Sequence, residues 1–517
     1  MPTKISILWA DDEIDLLKPH ILFLTNKGYD VTPVASGVDA VEEIKKRAFD
    51  LVFLDENMPG ISGMEALTQI KALRDVPCVM ITKSEEEYIM EDAIGSKIAD
   101  YLIKPVNPNQ ILHSIKKLTE NARLTSEKTN QSYQQDFRNI GMMLNDNLNF
   151  EEWLAVYRKI IYWELELDSV EDNQMGEIIA MQKQEANRSW AKYINSNYMK
   201  MMKNPGEGGL IMSHQLMKNK VFPLLEQPDP VFFILIDNLR YDQWKMIQPY
   251  LANHCRVEQD DLYMSILPTT THYCRNALFA GLPPGEIERK FTTLWSNDEE
   301  EGGKNLHEEE FLAENLKRNG HDIKMSYTKV VNLDQGKAMV DNVSNMFQNK
   351  LNVIVYNFVD MLSHARTEMG MIKELSEDEA AYRSLTRSWF EHSPLFEAIK
   401  KIAQKKVKII ITTDHGSIRV KNPVKIIGDR NTTSNLRYKQ GKNLNYDKRE
   451  VFEIRNPKEA SLPCPHVSST FAFCYEDNFF AYPNNYNYFV NMYRDTFQHG
   501  GISLEEMLIP IAVLSSK

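Results

Sequence analysis

Buried-strand patterns alternate with helical patterns along the first part of the chain. Short, mostly apolar runs lie at residues 5–10, 50–54, 76–81 and 100–103. Apolar runs of this length are typical of parallel strands that are buried on both faces. Helical segments at residues 37–47 and 63–73 separate the runs. This alternation predicts a doubly wound α/β domain whose site lies at the carboxyl ends of its strands.

Residues suited to phosphoryl chemistry follow each of these four runs. They are, in chain order, Asp11, Asp12, Asp55, Thr82 and Lys104. Carboxylates at one edge of a sheet bind a hard cation such as Mg²⁺, and an aspartate beside that ion can hold a phosphoryl group as an acyl phosphate. Lys104 would neutralise the phosphoryl oxygens, and Thr82 would donate a hydrogen bond to one of them. The pattern therefore predicts a phospho-acceptor site.

Residues 1–120 resemble the receiver domain of response regulators. The resemblance rests on the five polar residues just named, on residues 58–63 (MPGISG) and on Pro105 after Lys104. It implies that a sensor histidine kinase phosphorylates Asp55, that Mg²⁺ is bound, and that the other polar residues support the reaction. We also expect a homodimer in the phosphorylated state, because receiver faces often pair and two-fold assemblies are the commonest oligomers.

Residues 121–209 carry helical periodicity. Trp153, Leu154, Tyr157 and Ile160 recur at helical spacing, and the Gly-rich break at residues 204–209 ends the segment. Basic residues do not gather on one face, which favours a structural helical bundle over a nucleic-acid-binding helix. We expect a helical linker domain here.

Within residues 210–517, three strand-like apolar runs each end at an aspartate, and three histidines lie near those run ends or in a Gly-Gly turn close to the C-terminus. These residues are Asp237, Asp360, His364, Asp414, His415 and His499. Buried strands deliver such side chains to one edge of an α/β sheet. A mix of carboxylate and imidazole suits a pair of zinc ions. The pattern predicts a metallo-phosphoesterase.

The candidate nucleophile is a threonine at a strand-to-helix junction. Thr271 precedes a helical segment at residues 275–278, and free backbone N–H groups at the start of a helix bind anions. No general base lies nearby in the sequence, but none is needed if a zinc ion contacts the threonine oxygen, since zinc lowers the pKa of hydroxyl-type ligands. Arg275, one turn further on, is a candidate contact for a substrate phosphate oxygen.

Residues 210–517 resemble the alkaline phosphatase superfamily, and more closely its PglZ-type branch. The resemblance rests on residues 499–510 (HGGISLEEMLIP) and on residues 268–284, which begin PTTT and end AGLPP. It implies that Asp237, Thr271, Asp414 and His415 bind one zinc ion, with Thr271 as the nucleophile. The residues implied for the second zinc ion are Asp360, His364 and His499. A receiver joined to such a domain resembles the PorX-type response regulators, which are linked to control of type IX secretion.

We therefore expect an α/β protein with three domains. They are a doubly wound receiver domain at residues 1–120, a helical linker domain at 121–209 and an alkaline phosphatase-like α/β domain at 210–517. No signal-peptide pattern and no apolar run long enough to span a membrane are present, which predicts a cytoplasmic protein.

Two charged stretches bear on the substrate. The net charge of −12 argues against nucleic-acid binding by the whole surface, but residues 419–449 are rich in lysine and arginine and include Tyr438 and Tyr446. Basic charge with aromatic rings suits an anionic strand with stackable bases. The acidic stretch at residues 298–310 is predicted to be a solvated loop followed by the start of a helix.

The main hypothesis is a two-component response regulator with a zinc-dependent phosphodiesterase output that acts on nucleotides or oligonucleotides. Metal ligands alone do not separate monoesterases from diesterases, whereas the nucleophile segment favours a diesterase. The alternative is a non-catalytic signalling adaptor whose phosphorylated form binds a transcription factor or a secretion component.

Overall fold

The computed structural model describes residues 4–74, 76–82, 98–168, 173–357, 359, 378–429 and 432–517. The chain divides into two compact units, Met1–Asp136 and Phe137–Lys517. Among the residues that are described, no helix is both long and apolar enough to cross a membrane.

A five-stranded parallel sheet forms the centre of the first unit. Its strands are β1 (Ser6–Ala10), β2 (Asp30–Val34), β3 (Leu51–Asp55), β4 (Cys78–Thr82) and β5 (Asp100–Ile103), in the spatial order β2-β1-β3-β4-β5. Up to residue 115, the α-helices among the described residues are α1 (Lys18–Asn26), α2 (Gly37–Lys46), α3 (Gly63–Leu73) and α4 (Pro108–Ile115). The doubly wound fold predicted from the sequence is confirmed.

Apolar layers cover both faces of this sheet. Leu8 of β1 and Val52 of β3 belong to the layer that includes residues of α2 and α3. Trp9 and Phe53, one position further along the same strands, belong to the opposite layer, and their ring centroids lie 5.3 Å apart. Successive side chains of a strand point to opposite faces, which explains why these strands are apolar at consecutive positions.

The start of α3 lies close to the end of β3. Glu65 Oε2 accepts a hydrogen bond from the Ser62 backbone N–H at 2.8 Å, and Ser62 Oγ accepts one from the Glu65 N–H at 3.2 Å. This reciprocal pair is a capping box that fixes where the helix begins. A Cβ atom at Gly63 would lie 2.3 Å from the carbonyl oxygen of Asp55. Glycine is therefore required where the helix start approaches Asp55.

Long helices follow. They are α5 (Asn121–Leu144), α6 (Phe150–Asp168) and α7 (Asn173–Lys203). A capping box fixes the start of α6, since Asn149 and Glu152 exchange hydrogen bonds at 2.7 and 3.1 Å. Trp153 of α6 meets Trp190 of α7 edge-on, with centroids 5.3 Å apart. The apolar stripe seen in the sequence thus forms the contact between these two helices.

The second unit contains the remaining strands. They are β6 (Val231–Ile236), β7 (Cys255–Met264), β8 (Met325–Val330), β9 (Leu351–Tyr356), β10 (Lys408–Thr412), β11 (Ile418–Arg419), β12 (Asn422–Ile427), β13 (Tyr438–Gly441), β14 (Asn445–Tyr446), β15 (Val451–Ile454), β16 (Thr470–Cys474), β17 (Asn478–Ala481), β18 (Phe497–Gln498) and β19 (Leu508–Ser516). Six of them form one large sheet in the order β7-β19-β10-β6-β9-β8. The others form three small sheets, β11-β18, β14-β12-β17 and β13-β16-β15.

Ten further α-helices are described in the second unit. They are α8 (Phe222–Leu225), α9 (Tyr241–Leu251), α10 (Thr271–Ala280), α11 (Pro284–Lys290), α12 (Glu308–Arg318), α13 (Leu333–Met346), α14 (Glu379–His392), α15 (Pro394–Ile402), α16 (Tyr486–Tyr493) and α17 (Leu504–Met507). The three central strands β6, β9 and β10 are almost entirely buried. Coverage on both faces explains why their sequences read as continuous apolar runs.

Candidate functional site

The ends of several strands meet at one edge of the large sheet. β10, β6 and β9 run parallel to one another, whereas β19 runs antiparallel to β10 and β7 runs antiparallel to β19. The carboxyl ends of β6, β7 and β10 and the first residues of β19 therefore lie at the same edge. Asp237 directly follows β6, and Asp414 follows β10 after one intervening residue.

Two carboxylates and an imidazole form a tight buried cluster at this edge. One ligand atom each from Asp237, Asp414 and His415 lies within 4.8 Å of the other two. The side chains are at most 1% exposed. Thr271 is the first residue of α10, and its Oγ1 lies 3.0 Å from His415 Nε2 and 3.4 Å from Asp237 Oδ1. Four residues that are far apart in the sequence are thus brought together.

The orientation of the His415 ring leaves one nitrogen for the cluster. His415 Nδ1 lies 3.1 Å from the carbonyl oxygen of Gly416. A carbonyl only accepts hydrogen bonds, so Nδ1 donates to it, and in the neutral ring Nε2 then carries the lone pair. That lone pair faces Thr271 and the carboxylates, which is the arrangement required of an imidazole ligand.

Arg275 lies behind the two carboxylates. Its guanidinium contacts Asp237 Oδ2, and its Nε donates to Asp414 Oδ2 at 2.9 Å. Glu308 Oε1 lies 3.5 Å from Arg275 NH1. Burial raises the pKa of Asp237, and Arg275 offsets this only in part. Burial acts in the same direction on Asp414, but opposing contributions, the charge of Arg275 first, outweigh it, so the pKa of Asp414 lies below its ordinary value.

The surroundings of Arg275 differ from those expected of a phosphate contact. The side chain is 0% exposed, and its described partners are Asp237, Asp414, Glu308 and Asn357. These contacts favour a role in holding the carboxylates. A direct contact with substrate stays a prediction.

His499 lies against His415. The two rings are stacked, with centroids 4.3 Å apart and planes 22° from parallel, and His499 Nδ1 lies 3.3 Å from the carbonyl oxygen of Thr269. Gly500, the next residue, has φ +124°. This left-handed conformation favours glycine and lets the chain turn directly after His499.

The acidic stretch at residues 298–310 is only partly solvated, which corrects the expectation for two of its carboxylates. Glu308 is 2% exposed, and its Oε2 accepts hydrogen bonds from Tyr327 at 2.5 Å and from Lys329 at 2.8 Å. The Asp298 side chain is 9% exposed. The two carboxylates are buried because basic and hydroxyl groups surround them, and charge runs in the sequence do not reveal such partners.

Three polar side chains contact the carboxylate of Asp298, and two of them directly follow Thr271 in the sequence. Its carboxylate lies 2.8 Å from each of His272 Nδ1, the Tyr273 hydroxyl and the Tyr438 hydroxyl. Burial alone would raise the pKa of Asp298, but the hydrogen bonds, that of His272 first, outweigh it and the pKa is lowered. The sequence gives no signal for the contact with His272, since Asp298 lies 26 residues further along the chain.

The first unit also brings its predicted site residues together. Ligand atoms of Asp11, Asp12 and Asp55 lie within 4.8 Å of one another. Lys104 Nζ lies 2.9 Å from Asp11 and 3.0 Å from Asp55, and the peptide bond after Lys104 is cis. The Thr82 hydroxyl donates to a neighbouring glutamate. Burial raises the pKa of Asp55, although Lys104 acts against this.

Family models match nearly the whole chain. The model of the BREX system PglZ alkaline phosphatase-like domain matches residues 216–514, which is more than half of the 517 residues. The chain belongs to the PglZ family. The PorX response regulator linker domain matches residues 123–202, and the response regulator receiver domain matches residues 7–116. This is the organisation of a PorX-type response regulator, in which a receiver is fused to a PglZ domain.

Curated relatives match the receiver part. The chain is 28% identical over 141 residues to the regulatory protein VanRc of Enterococcus gallinarum, covering 27% of this chain and 61% of that protein. It is 30% identical over 113 residues to the sensory transduction protein RegX3 of Mycolicibacterium smegmatis, covering 22% and 49%. The chain thus spans about half the length of the curated relatives it matches.

Solved receiver structures are also similar. A response regulator receiver domain protein (CheY-like) from Methanospirillum hungatei JF-1 is 26% identical, with a TM-score of 0.22, and the match covers 23% of this chain and 96% of that one.

Two predicted ligands of the PglZ domain, Asp360 and His364, lie outside the described residues. Of the three residues predicted to hold a second zinc ion, only His499 is described, and it lies beside the Asp237–Asp414–His415 cluster. The metal-binding roles of all these residues stay predictions.

Two of the basic residues at 419–449, Arg437 and Lys439, are buried and do not belong to the exposed basic surface expected from the sequence. Arg437 is fully buried and pairs with Glu506. Lys439 Nζ lies 4.8 Å from the centroid of a tyrosine ring and donates to a backbone carbonyl, and burial lowers its pKa to about 8. Arg419 pairs with Asp495 at 3.2 Å. Arg437 and Lys439 are thus engaged inside the domain, whereas the Arg419 side chain is 22% exposed, and a contact between this stretch and substrate stays a prediction.

Proposed function

We propose that this response regulator is a phosphorylation-controlled, zinc-dependent phosphodiesterase that acts on nucleotides or oligonucleotides. The observation that carries the proposal is the placement of the Thr271 hydroxyl at the N-terminus of α10, 3.0 Å from His415 Nε2 and beside two buried carboxylates. Membership of the PglZ family supports a hydrolase of the alkaline phosphatase superfamily.

The donor set fits zinc. Asp237, Asp414 and His415 offer oxygen and imidazole nitrogen in one buried cluster, and Thr271 adds a hydroxyl. Mixed nitrogen and oxygen ligands of this kind are common at catalytic zinc sites. These four residues would hold one ion, and His499 with Asp360 and His364 would hold a second. Bound zinc supplies Lewis acidity and charge stabilisation for phosphoryl transfer.

The chain's own residues define the covalent steps. Thr271 Oγ1 forms a bond to phosphorus while the bond to one ester oxygen breaks, and the departing alcohol takes up the proton lost from Thr271. Water then attacks the phosphothreonine, which releases a phosphate monoester and restores the Thr271 hydroxyl. Free N–H groups in the first turn of α10 face the anionic phosphoryl group.

Phosphorylation of the receiver domain would control the hydrolytic activity. A receiver implies a phosphodonor such as a histidine kinase. In the proposal Asp55 accepts the phosphoryl group, Asp11 and Asp12 hold Mg²⁺ beside it, and Lys104 and Thr82 contact its oxygens. Phosphorylation adds about −1.5 to −2 charges at this site.

We also propose an assembly state and a cellular role for this protein. We expect phosphorylation of Asp55 to favour a homodimer, which light scattering before and after treatment with a small phosphodonor measures. An unchanged mass would contradict this part. The middle segment matches the PorX response regulator linker domain, and on the resemblance to PorX-type regulators we propose a role in type IX secretion control.

The central test compares hydrolysis of an aryl phosphodiester by the zinc-supplemented wild type and Thr271→Val. We expect at least a hundredfold loss in the variant, because the nucleophile is removed while the side-chain volume is kept. Thr270→Val is the matched control, since the Thr270 hydroxyl makes no hydrogen bond within the described part of the chain. Equal rates in wild type and Thr271→Val would remove Thr271 from the mechanism and leave the signalling adaptor as the better hypothesis.

A further inference from the structure

A buried network of charged side chains connects the linker helices to the PglZ domain. Its members lie on α6, α7, α14 and α17, at the start of α9 and in the turn that precedes α9. They are Glu164, Asp168, Lys183, Arg240, Asp242, Glu379, Arg383 and Glu505. Six of the eight side chains are at most 11% exposed.

Arg383 of α14 joins α6 to the start of α9. Its NH1 lies 3.0 Å from Glu164 Oε1 and 3.1 Å from Asp242 Oδ2. Its NH2 pairs with Asp168, the last residue of α6. One guanidinium therefore connects a linker helix with the helix that follows the ligand-bearing strand β6.

Lys183 and Asn187 of α7 hold the segment at the start of α17. Lys183 Nζ lies 3.1 Å from Glu164 Oε2 and 3.1 Å from Glu505 Oε1. Asn187 Nδ2 donates to Glu505 Oε2 at 3.0 Å, and Asn187 Oδ1 accepts from the Leu504 N–H at 2.8 Å. A single face of α7 thus binds both the backbone and the carboxylate of this segment.

Arg240 extends the network towards the candidate metal site. It pairs with Asp242 and lies 2.6 Å from Glu379 Oε2. Its guanidinium carbon lies 5.6 Å from the ring centroid of Tyr382 and 5.2 Å from that of Phe497. The side chain is 0% exposed, so it is held by charge on one side and by aromatic rings on the other.

The network directly contacts the turn that carries His415. A Cβ atom at Gly416 would lie 2.0 Å from the carbonyl oxygen of Glu505 and 3.4 Å from Arg240 Cγ. Gly416 N donates to the carbonyl oxygen of Glu506 at 3.3 Å. Arg240 is also three residues after Asp237, and Glu505 is six residues after His499. Elements that carry three of the predicted ligands therefore meet at this network.

The charges of the network restrict the positions that its side chains can adopt. Five carboxylates face three cations, so each cation is shared by at least two acids. A buried charge is costly unless it is paired and hydrogen-bonded. The helices and the ligand-bearing turns therefore adopt positions that keep every charge partnered, and loss of one partner displaces its neighbours.

We propose that Lys183, Arg240 and Glu505 are positioning residues through which α6 and α7 hold the His415 turn in the geometry for metal binding. The linker helices are in this view a structural part of the PglZ site. The inference rests on the proposed metal site at Asp237, Asp414 and His415, and it adds that the affinity of that site depends on residues of the linker.

Zinc affinity of the full-length protein tests the proposal. Titration against a competing chelator gives the affinity of wild type and of Glu505→Gln, a substitution that removes the charge of Glu505 but keeps its size. We expect affinity to fall about 10–100-fold, as for other residues that orient metal ligands. Lys183→Met should show the same loss, and Lys183→Arg should restore most of it. Should Lys183→Met fail to fold, the Glu505→Gln result decides.

Asp261→Asn is the matched control. Asp261 of β7 also pairs the linker with the PglZ domain, through Arg158 of α6 at 2.7 Å. Its other described cation, Lys220 at 3.3 Å, belongs to the PglZ domain, and neither partner adjoins a predicted ligand. Its zinc affinity should equal that of wild type. Equal zinc affinities in wild type and Glu505→Gln would overturn the inference, as would equal losses in Glu505→Gln and Asp261→Asn. If the wild type binds no zinc, the proposed function fails at its first step.

Discussion

Replacement of Arg437 by methionine should destabilise the PglZ domain by about 3–5 kcal/mol, because it leaves a buried carboxylate without its cation. Arg437 and Glu506 are both 0% exposed. Arg437 Nε lies 3.1 Å from Glu506 Oε1, and NH2 lies 2.7 Å from Oε2. Glu506 also accepts hydrogen bonds from Gly501 N–H and the Ser503 hydroxyl, but neither donor replaces the lost charge. The loss is a large part of the ~5–15 kcal/mol that stabilises a typical domain.

Urea unfolding followed by tryptophan fluorescence measures this effect. With a denaturant slope of about 3 kcal/mol per M, the midpoint should fall by about 1–2 M. Lys421→Met is the matched control, because Lys421 lies in the same basic stretch but is exposed, and such a surface change should stay within about 0.5 kcal/mol. In Arg437→Met with Glu506→Gln, the loss should be smaller than the sum of the two single losses, since neither charge is then left alone.

The opposite result would refute this reasoning. If Arg437→Met were as stable as Lys421→Met and instead bound oligonucleotide less tightly, Arg437 would reach the substrate. The buried pair with Glu506 would then not describe the working protein.

Three further predictions concern other parts of the chain. Burial lowers the pKa of His214 to about 4, so the unfolded chain takes up a proton near pH 6.5 while the folded chain does not. The free energy of unfolding that this difference contributes is fully present above pH 6.5 and falls by up to about 3 kcal/mol towards pH 4. In His214→Leu, the urea midpoint should therefore depend less on pH between pH 6.5 and pH 4. Gly500 has φ +124° and crowded surroundings, whereas Gly302 has φ +101° and open space around its Cβ position. Gly500→Ala should therefore lower zinc affinity in a chelator titration, and Gly302→Ala should not. Lys104→Met removes the cation beside Asp55 and should slow phosphorylation by a small phosphodonor at least tenfold, measured as the mass increase with time; an unchanged rate would exclude Lys104 from the reaction.

Local pattern was sufficient for the fold class and for the strand ends that carry Asp55, Asp237 and Asp414. Strands β1, β3, β4 and β5 of the receiver and strands β6 and β10 of the PglZ domain were visible as apolar runs, because parallel strands are buried on both faces. The residue after such a strand lies at the edge where an α/β site forms. Asp55, Asp237 and Asp414 were therefore candidates before any contact was known, as was Thr271 from its place at a helix start.

The partners of buried charges depend on contacts between distant segments and needed the tertiary structure. From the sequence, Arg437 and Lys439 were expected to form a basic surface, and Asp298 and Glu308 to lie in a solvated acidic segment. Both expectations failed because a linear sequence shows charge but not burial. The sequence makes Arg275 a candidate substrate contact, yet its described partners are the carboxylates of Asp237, Asp414 and Glu308 and the side chain of Asn357. The network around Lys183 and Glu505 joins residues more than three hundred positions apart. Hydrophobic periodicity reports the environment of each residue along its own element, whereas charge pairing is decided by which elements pack together.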